Sequence, residues 1–452
     1  MKILKVSRCY FPANDYGGPI GKMLALAGGL TTLGHKVTVY TSNLLDPARR
    51  MSDRTVTQEV ECSRVIYFNS VYNYHWDPIT PDVFRFCRSE LRQFDVIHVY
   101  GYRDFISTVV CWYARRWRIP YVVEPMGMLI PIVRSLAKKR LYDRLCGARL
   151  MAGAARIVAT SEVERGDLLR SGLDPGKVVL RRNGIDLARF ENPPGRGGFR
   201  KLAGLAPSDL LVLYLGRVSR KKGIDLLLRA LRDQALSQAH LAVVGGDDYD
   251  GYMQELMRLA RTLGLQDRVT FTGALYGQDK LGALCDADVL VLPSRNENFG
   301  NVVAEAAACG TPVIVTDRCG IAPFVLARSG HGCTGRVSIG EPTPSGRDPA
   351  PAQAVTAGRS DYVVGHVGLV IPYDEGALRA ALARILADQA LRAAFKLNGP
   401  EAARELSWDE PVRQTEDLYR SVLTPQGDRR ARVELSGLRM QPFRSTIDGR
   451  QR

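Results

Sequence analysis

Short apolar runs separated by longer amphipathic stretches repeat along most of the chain, and this alternation predicts an α/β protein. In the first part of the chain the runs predict strands at residues 2–6, 37–41, 65–68, 96–100, 121–123, 157–159 and 178–180. In the second part they predict strands at residues 211–215, 241–244, 269–272 and 289–292. Helical stretches lie between the runs, so parallel sheets of the Rossmann-like kind are expected.

Two such domains are expected, because 452 residues are long for a single α/β domain. We assign residues 1–190 to an amino-terminal domain and residues 200–406 to a carboxy-terminal one. Residues 191–199 are rich in Pro and Gly and are interpreted as the linker. Residues 407–423 predict a last helix, and residues 424–452 predict a mobile basic tail.

Residues 328–366 interrupt the alternation, since they are rich in Gly, Pro, Ser and Thr and contain few large apolar residues. This segment is predicted to be a long irregular insertion in the carboxy-terminal domain. It would be either a lid over a cleft between the domains or a disordered segment, and its composition favours the second.

The run 289–317 reads as an apolar strand, a polar turn, an Ala-rich helix and a second apolar strand, which predicts a β-α-β unit. Glu297 lies in the turn, and Asn301 is expected to cap the helix. Glu305 lies inside the helix among small apolar residues, where a carboxylate needs a partner. With Asn301 as N-cap, the N3 position is Ala304, so Glu305 does not fit a capping box.

The partner of Glu305 is open to two interpretations. The carboxylate would either form a salt bridge with an arginine elsewhere in the chain or accept hydrogen bonds from the hydroxyls of a ligand, and we favour the ligand. The first N–H groups of the helix, at residues 300–302, would then face an anion.

Two other glycine turns follow predicted strands. Gly17 and Gly18 precede a helix, which is typical either of a backbone that approaches a ligand closely or of an ordinary tight turn. Arg217 and Lys222 follow the strand at 211–215, at the carboxyl end where open α/β sheets bind ligands.

The segment Glu297-Asn298-Phe299-Gly300-Asn301, in the pattern Glu-x7-Glu with Glu305, resembles the nucleotide-sugar site of retaining glycosyltransferases of the GT-B fold, family four. The segments Gly216-Arg217 with Lys222-Gly223, and Asn183-Gly184-Ile185-Asp186, are also similar to that family. The resemblance covers residues 1 to about 423 and is more specific in the carboxy-terminal half. It implies two Rossmann-like domains that face each other across a cleft, with the last helix crossing back to the first domain.

The resemblance also implies roles for individual residues. Glu297 would contact the donor sugar, Glu305 would hold the ribose, and Arg217 and Lys222 would neutralise the diphosphate. Glu297, Arg217 and Lys222 are therefore the predicted catalytic residues. The predicted donor-binding residues, besides Glu305, are Gly17, Gly18, Leu275, Asn298, Phe299, Gly300, Asn301 and Val302.

Two positions depart from the pattern of the family. Many relatives carry a His directly before the Gly that corresponds to Gly127, whereas this chain has Met126. Glu124 is a candidate for that sugar-side role, although it would equally suit a paired carboxylate in the core. His98 is another candidate, but a lone His at the end of a strand is more often structural. At the second position, Arg182 replaces the proline that precedes the Asn-Gly-Ile-Asp segment in the family.

The formal net charge is +15, and residues 1–200 hold 31 Lys and Arg against 18 Asp and Glu. Such a field favours an anionic membrane surface or a lipid-linked acceptor, and no feature selects nucleic acid. The predicted helix after Pro131 alternates basic residues with leucines, so it would suit an anionic membrane. A solvated helix with a core-facing leucine stripe is the favoured alternative.

The nine cysteines include no C-x-x-C pair, which argues against a disulfide framework or a zinc site. The sequence begins directly with a predicted strand and has no apolar run that would span a bilayer, so a cytoplasmic protein, at most peripheral on the membrane, is expected. Asp286 and Asp288 look like a DxD metal motif, but they precede a buried strand and are interpreted as structural. No metal and no other cofactor is expected.

The sequence therefore predicts a metal-independent retaining glycosyltransferase. It would move a sugar from a UDP- or GDP-sugar to a glycan or lipid-linked acceptor in cell-surface polysaccharide or glycolipid synthesis. A nucleotide-sugar epimerase of the same fold and an inactive nucleotide-sugar-binding scaffold are the alternatives. A scaffold would be expected to have lost Arg217, Lys222 or Glu297, and all three are present.

Overall fold

The computed structural model describes residues 1–74, 76–130, 136–206, 208–248, 250–327 and 361–424. Most of the predicted insertion at 328–366 and nearly all of the predicted tail at 424–452 lie outside these residues, as does Arg134 of the basic helix.

An eight-stranded sheet forms the centre of the amino-terminal domain, in the order β10-β9-β8-β7-β1-β2-β4-β3. All neighbours are parallel except β3 and β4, and a separate two-stranded hairpin pairs β5 with β6. The strands are β1 (Lys2–Ser7), β2 (Lys36–Ser42), β3 (Val56–Val60), β4 (Ser63–Phe68), β5 (Tyr72–Tyr74), β6 (Asp77–Ile79), β7 (Val96–Tyr100), β8 (Tyr121–Glu124), β9 (Arg156–Ala159) and β10 (Val178–Leu180).

A seven-stranded sheet forms the centre of the carboxy-terminal domain, in the order β13-β12-β11-β14-β15-β17-β16. Its neighbours are parallel except β16 and β17. The strands are β11 (Leu210–Leu215), β12 (Ala239–Val244), β13 (Val269–Gly273), β14 (Val289–Leu292), β15 (Val313–Thr316), β16 (Val363–Val364) and β17 (Gly368–Ile371).

Helices cover both sheets. They are α1 (Gly18–Thr32), α2 (Asp82–Glu90), α3 (Phe105–Trp117), α4 (Leu136–Tyr142), α5 (Ala148–Gly153), α6 (Glu162–Arg170), α7 (Gly198–Leu202), α8 (Ile224–Ala230), α9 (Tyr252–Thr262), α10 (Gly277–Asp286), α11 (Asn301–Ala308), α12 (Ala322–Leu326), α13 (Glu375–Ala387), α14 (Gln389–Ala403) and α15 (Asp409–Leu423).

The last helix, α15, crosses back onto the amino-terminal domain. Its Val412 packs so closely on Gly29 of α1 that a Cβ atom at Gly29 would collide with the valine side chain. Tyr419 of the same helix hydrogen-bonds Nδ1 of His98 in β7 at 2.7 Å. The predicted arrangement of two Rossmann-like domains with a helix that crosses back is therefore confirmed.

The predicted strands are all present, because the buried strands of a parallel sheet are covered on both faces and read as continuous apolar runs. The polar edge strand β3, the β5–β6 hairpin and helix α14 had no such signal and were not predicted. Helix α11 was predicted to be capped by Asn301, but its N-cap is Gly300 at φ 103°, so that detail was wrong.

The basic segment that follows Pro131 also differs from its favoured interpretation. Leu150 is buried, but Leu141 and Leu145 are 58% and 56% exposed. A leucine stripe that faces the core is therefore wrong for these two residues. Among the described residues, no helix combines the length and the hydrophobicity that crossing a bilayer requires.

Candidate active site

The carboxyl ends of the two parallel sheets face each other, so the loops that leave them form the walls of one cleft. Asn298, in the loop after β14, donates from Nδ2 to Oγ1 of Thr160, the residue after β9, at 2.7 Å. Asn183, shortly after β10, donates from its side chain to Oδ1 of Asn301 at 3.1 Å. This edge is where open α/β sheets place their ligand sites.

Lys222 and Glu297 form an ion pair at this edge, with side chains that are 14% and 16% exposed. Lys222 ends the short 3₁₀ turn that follows β11, and Gly223 comes next at φ 68°. A side chain at Gly223 would collide with the carbonyl oxygen of Pro293. Only glycine allows the two loops to approach this closely, and that approach brings the ammonium group to the carboxylate.

Three basic residues surround Glu297. Burial by itself opposes its ionisation, but the charges of Lys222, Lys221 and Arg217 outweigh burial and lower the pKa of the Glu297 carboxyl below its ordinary value. The Glu297 carboxylate is therefore ionised and is held in place among these cations.

Arg217 lies in the loop after β11, where the hydroxyl of Tyr214 donates to its carbonyl oxygen at 2.9 Å. Its guanidinium group pairs with Asp248 at 3.1 Å, and both side chains remain between a quarter and a third exposed. Because an ion pair that is open to solvent contributes little free energy, an anionic ligand can displace Asp248 from Arg217 at a small cost in stability.

The amino terminus of α11 points to the same edge. Its N-cap, Gly300, holds a left-handed conformation, and a Cβ atom there would lie 3.1 Å from Ile321 and 3.2 Å from Leu292. Phe299 is buried in the core, so it offers a ligand its backbone only. The first N–H groups of the helix, from Asn301 and Val302 onward, make an anion site at this end.

Glu305 pairs with Lys280 of α10 at 2.6 Å, and both side chains are partly exposed. Its protein partner is therefore a lysine rather than the arginine that was considered. The pair joins α10 to α11 and is partly open to solvent, so ligand hydroxyls would compete with Lys280 for the carboxylate.

Three further predicted donor contacts, Gly17, Gly18 and Leu275, lie at or beside element ends. Gly17 has φ 94° and forms the N-cap of α1, and apart from the adjacent residues and the backbone of α1 no described atom lies within 4 Å of a Cβ position at Gly17 or Gly18. The space above this turn is open to a ligand. Leu275, just after β13, packs partly buried against the core of the carboxy-terminal domain.

His98 and Glu124 lie in a buried charge network beneath the cleft, with both side chains fully inaccessible. Glu124 pairs with Lys22 of α1 and with Arg181 at 2.5 Å, and its carboxylate lies 3.7 Å from His98 Nε2. Because both side chains are inaccessible and Glu124 is paired within the protein, the structure places both residues in the core of the amino-terminal domain.

Nearby charges set the protonation of Glu124, and burial sets that of His98. Burial favours the neutral acid, but the charges of Arg181 and Lys22 outweigh burial and lower the pKa of Glu124 to about 2. Burial also lowers the pKa of His98 well below its ordinary value, although the charge of Glu124 opposes this shift. A neutral His98 forms one hydrogen bond with the Tyr419 hydroxyl. This bond helps to hold α15 against the amino-terminal domain.

Met126 remains at the cleft, in the loop after β8, and adopts the left-handed region at φ 54°. Gly127 follows at φ 72°, and a Cβ atom there would lie 3.5 Å from the Asn298 side chain. This loop of the amino-terminal domain therefore meets the turn that carries Glu297.

Asp286 and Asp288 have protein partners throughout. Asp286 accepts backbone N–H groups from Gly197, Phe199 and Arg200 at 2.6, 2.8 and 3.1 Å. Asp288 accepts from the Arg200 side chain at 2.7 Å and from Leu211 N at 2.8 Å. These bonds attach the segment before β11 to the domain, which supports the structural interpretation.

The sequence did not single out Thr160, Glu164 or Lys280. The pattern Ser161-x-x-Glu164 was visible and is typical of a capping box. In the structure Ser161 does accept from Glu164 N at 3.1 Å, but the Glu164 carboxylate binds Thr160 N and Gly127 N instead. Lys280 had no signal, because its role depends on how α10 packs beside α11.

Two facing Rossmann-like sheets, a helix that crosses back and a cation-rich edge around a helix amino terminus are the architecture of the GT-B fold. The comparisons with known proteins agree. Residues 199–335 match the family model described as glycosyl transferases group 1, and residues 17–184 match the glycosyl transferase 4-like domain. The chain belongs to the glycosyl transferases group 1 family.

Curated relatives include D-inositol 3-phosphate glycosyltransferases. That of Actinosynnema mirum is 33% identical over 295 residues, which cover 62% of this chain and 68% of the relative. That of Kineococcus radiotolerans is 30% identical over 347 residues, which cover 74% of this chain and 72% of the relative.

Solved structures share the fold. Sucrose-phosphate synthase from Thermosynechococcus elongatus superposes with a TM-score of 0.67 at 23% identity, covering 93% of this chain and 99% of that chain. Anabaena HepE in complex with UDP-glucose superposes with a TM-score of 0.67 at 19% identity, covering 93% and 100%.

Proposed function

We propose that this glycosyltransferase transfers a sugar from a nucleotide-diphosphate sugar, with retention of the anomeric configuration, to a glycan or lipid-linked acceptor. The observation that carries the proposal is the position of Lys222, Glu297 and Arg217 around the amino terminus of α11. Cations and helix N–H groups at one point suit a departing diphosphate, and a carboxylate among them suits the positive charge that develops on the sugar.

In the proposed reaction these charges act on the leaving group. The bond between the anomeric carbon and the diphosphate oxygen breaks, and Arg217, Lys222 and the N–H groups at residues 300–302 stabilise the negative charge on the diphosphate. The acceptor oxygen then bonds to the anomeric carbon on the same face, and its proton passes to the departing diphosphate oxygen. No covalent glycosyl-enzyme is needed, in contrast to a retaining glycosidase with two carboxylates flanking the bond.

The relatives give the first donors and acceptors to test. HepE is described in complex with UDP-glucose, and the curated relatives are named for D-inositol 3-phosphate. We therefore choose UDP-glucose and other UDP-, GDP- and ADP-sugars as donors, with D-inositol 3-phosphate and lipid-linked sugars as acceptors.

The test is a donor screen that follows release of the nucleotide diphosphate, with and without each acceptor, and the product anomer by NMR. Slow hydrolysis of one donor class, faster turnover with one acceptor, and retained configuration are expected. An inverted product would contradict the mechanism. Conversion of the donor to its epimer would favour the epimerase, and tight nucleotide binding without turnover would favour the scaffold.

The same assay tests metal dependence. Because Arg217 and Lys222 offset the charge of the diphosphate, activity is expected to persist in EDTA within about twofold. Complete loss in EDTA, restored by Mg²⁺ or Mn²⁺, would contradict metal independence.

We also propose that the enzyme binds an anionic membrane surface through the segment 138–149 and the β5–β6 hairpin. Leu141, Leu145 and Tyr72 are each more than half exposed, and Nζ of Lys138 lies 5.1 Å from the ring centre of Tyr74. Exposed apolar side chains beside basic ones suit the interface of a bilayer with anionic lipids.

Vesicle flotation tests this surface. Binding to anionic vesicles and little binding to neutral ones is expected, and replacing Lys138, Arg140 and Arg144 by Gln should weaken anionic binding roughly a hundredfold. A control variant replaces Arg258, Arg261 and Met257 on the exposed face of α9, which removes two positive charges, and its vesicle binding should equal that of the wild type. Equal, negligible binding to both vesicle types, or undiminished binding of the triple variant, would contradict the membrane proposal.

A further inference from the structure

Three polar side chains connect the two domains at the point where the donor turn meets the Met126–Gly127 loop. Asn298 donates from Nδ2 to Thr160 Oγ1 at 2.7 Å, and Thr160 Oγ1 donates to Glu164 Oε2 at 3.0 Å. The other oxygen of Glu164 accepts the N–H group of Gly127 at 2.6 Å. A continuous path of hydrogen bonds thus runs from residue 298 to residue 127.

The hydrogen-bond directions are consistent with one another. Thr160 has a single hydroxyl proton, which it donates in the hydrogen bond to the Glu164 carboxylate. The Thr160 oxygen must therefore act as the acceptor toward the other domain. The amide nitrogen of Asn298 meets this need. Thr160 and Glu164 are 0% and 3% exposed, which makes an unpaired group here costly.

The surrounding contacts are close enough to make the path sensitive to domain position. A side chain at Gly320 would collide with the Asn298 carbonyl oxygen and with Ser161 of the opposite domain. At Gly127 a Cβ atom would already be 3.5 Å from the Asn298 side chain. A small opening of the cleft would therefore break the bond between Asn298 and Thr160.

We propose that Asn298, Thr160 and Glu164 form an interdomain relay that holds the Met126–Gly127 loop against the turn bearing Glu297 when the cleft is closed. Asn298 lies between Glu297 and the amino terminus of α11, so the relay fixes the donor turn and the opposite loop together. All three are positioning residues. In its effect on turnover, this inference rests on the proposed function.

The main test compares Thr160→Val, which loses the hydroxyl, with Thr160→Ser, which keeps it. Thr160→Val is expected to lower kcat about three- to tenfold, as for loss of one hydrogen bond, with nucleotide diphosphate affinity within about twofold. Thr160→Ser should restore most of the turnover. Thr415→Val is the matched control, because it removes a buried hydroxyl that bonds within α15 to Pro411 O at 2.7 Å.

A double-mutant cycle separates a relay from independent contacts. Asn298→Ala alone should lower kcat about as much as Thr160→Val, and the two together should lower it no further. A loss of kcat in the double variant equal to the product of the two single losses would overturn the relay, as would wild-type turnover in Thr160→Val. Failure of every donor in the wild-type enzyme would instead count against the proposed function.

Hydrogen exchange tests the relay without any substrate. In the full chain, Thr160→Val should speed exchange about three- to tenfold in the peptides around Gly127 and around 297–302, and Thr160→Ser and Thr415→Val should not. The second peptide lies in the domain opposite the substitution. Unchanged exchange there would overturn the relay whatever the enzyme's substrate, and thermal unfolding identifies any variant that fails to fold.

Discussion

Glu297→Gln is expected to lower turnover by about a hundred- to a thousandfold while leaving nucleotide diphosphate affinity within about threefold. The carboxylate lies in the turn after β14, paired with Lys222 and kept ionised by neighbouring cations. The amide has nearly the same shape but no charge, so it cannot stabilise the positive charge that develops on the sugar. Such a contact acts in the transition state and contributes little to ground-state binding.

Glu305→Gln is the matched control, since it makes the same chemical change eight residues further along. Glu305 lies in α11 and pairs with Lys280 at the surface, where it is proposed to hold ribose hydroxyls. Its loss should weaken nucleotide diphosphate and donor affinity together, about tenfold, with a smaller effect on kcat. Calorimetric affinity and steady-state rates in both variants decide the matter. Normal turnover in Glu297→Gln would falsify its catalytic assignment.

Lys222→Met is expected to lower turnover about a hundredfold or more, and to weaken diphosphate affinity as well. The change removes a cation from the site of the departing diphosphate and leaves Glu297 without its ion-pair partner. Arg220→Met is the control, because Arg220 lies in the same turn but pairs outward with the exposed Glu255 at 2.5 Å. It should retain turnover within about threefold.

The pH profile adds a second reading of the Lys222 variant. Lys222 helps to lower the pKa of Glu297, so in the intact enzyme the carboxylate stays ionised down to a pH below its ordinary range. Without Lys222 the pKa of Glu297 should rise, and the acid limb of kcat should move to higher pH. An unmoved acid limb, or turnover equal to that of Arg220→Met, would contradict the role of the pair.

Local sequence determined the buried strands and the order of the domains, because buried parallel strands are apolar along their whole length and need no partner to be recognised. It also placed Arg217, Lys222 and Glu297 on one edge, since the carboxyl ends of parallel strands share an edge by topology. The two loops do meet there, and Gly223 lets them approach closely.

Tertiary structure decided which polar groups pair with one another. Glu305 pairs with Lys280 because α10 packs beside α11, and no spacing in the sequence predicts that contact. Glu124 and His98 were candidates for the sugar side as long as only their strands were known. Lys22, Arg181 and Tyr419, each from another part of the chain, surround them in the core.

The contact between the domains was likewise invisible in the sequence. Thr160 and Asn298 are 138 residues apart, and the local pattern around Glu164 is typical of a helix cap and carries no indication of a bond to Gly127. Hydrophobic periodicity reports how each segment meets the core. The energy of a hydrogen bond depends on the distance and direction between its two groups and not on the sequence around either one. The partner of a buried polar group at this interface is therefore set only when the two domains close on each other.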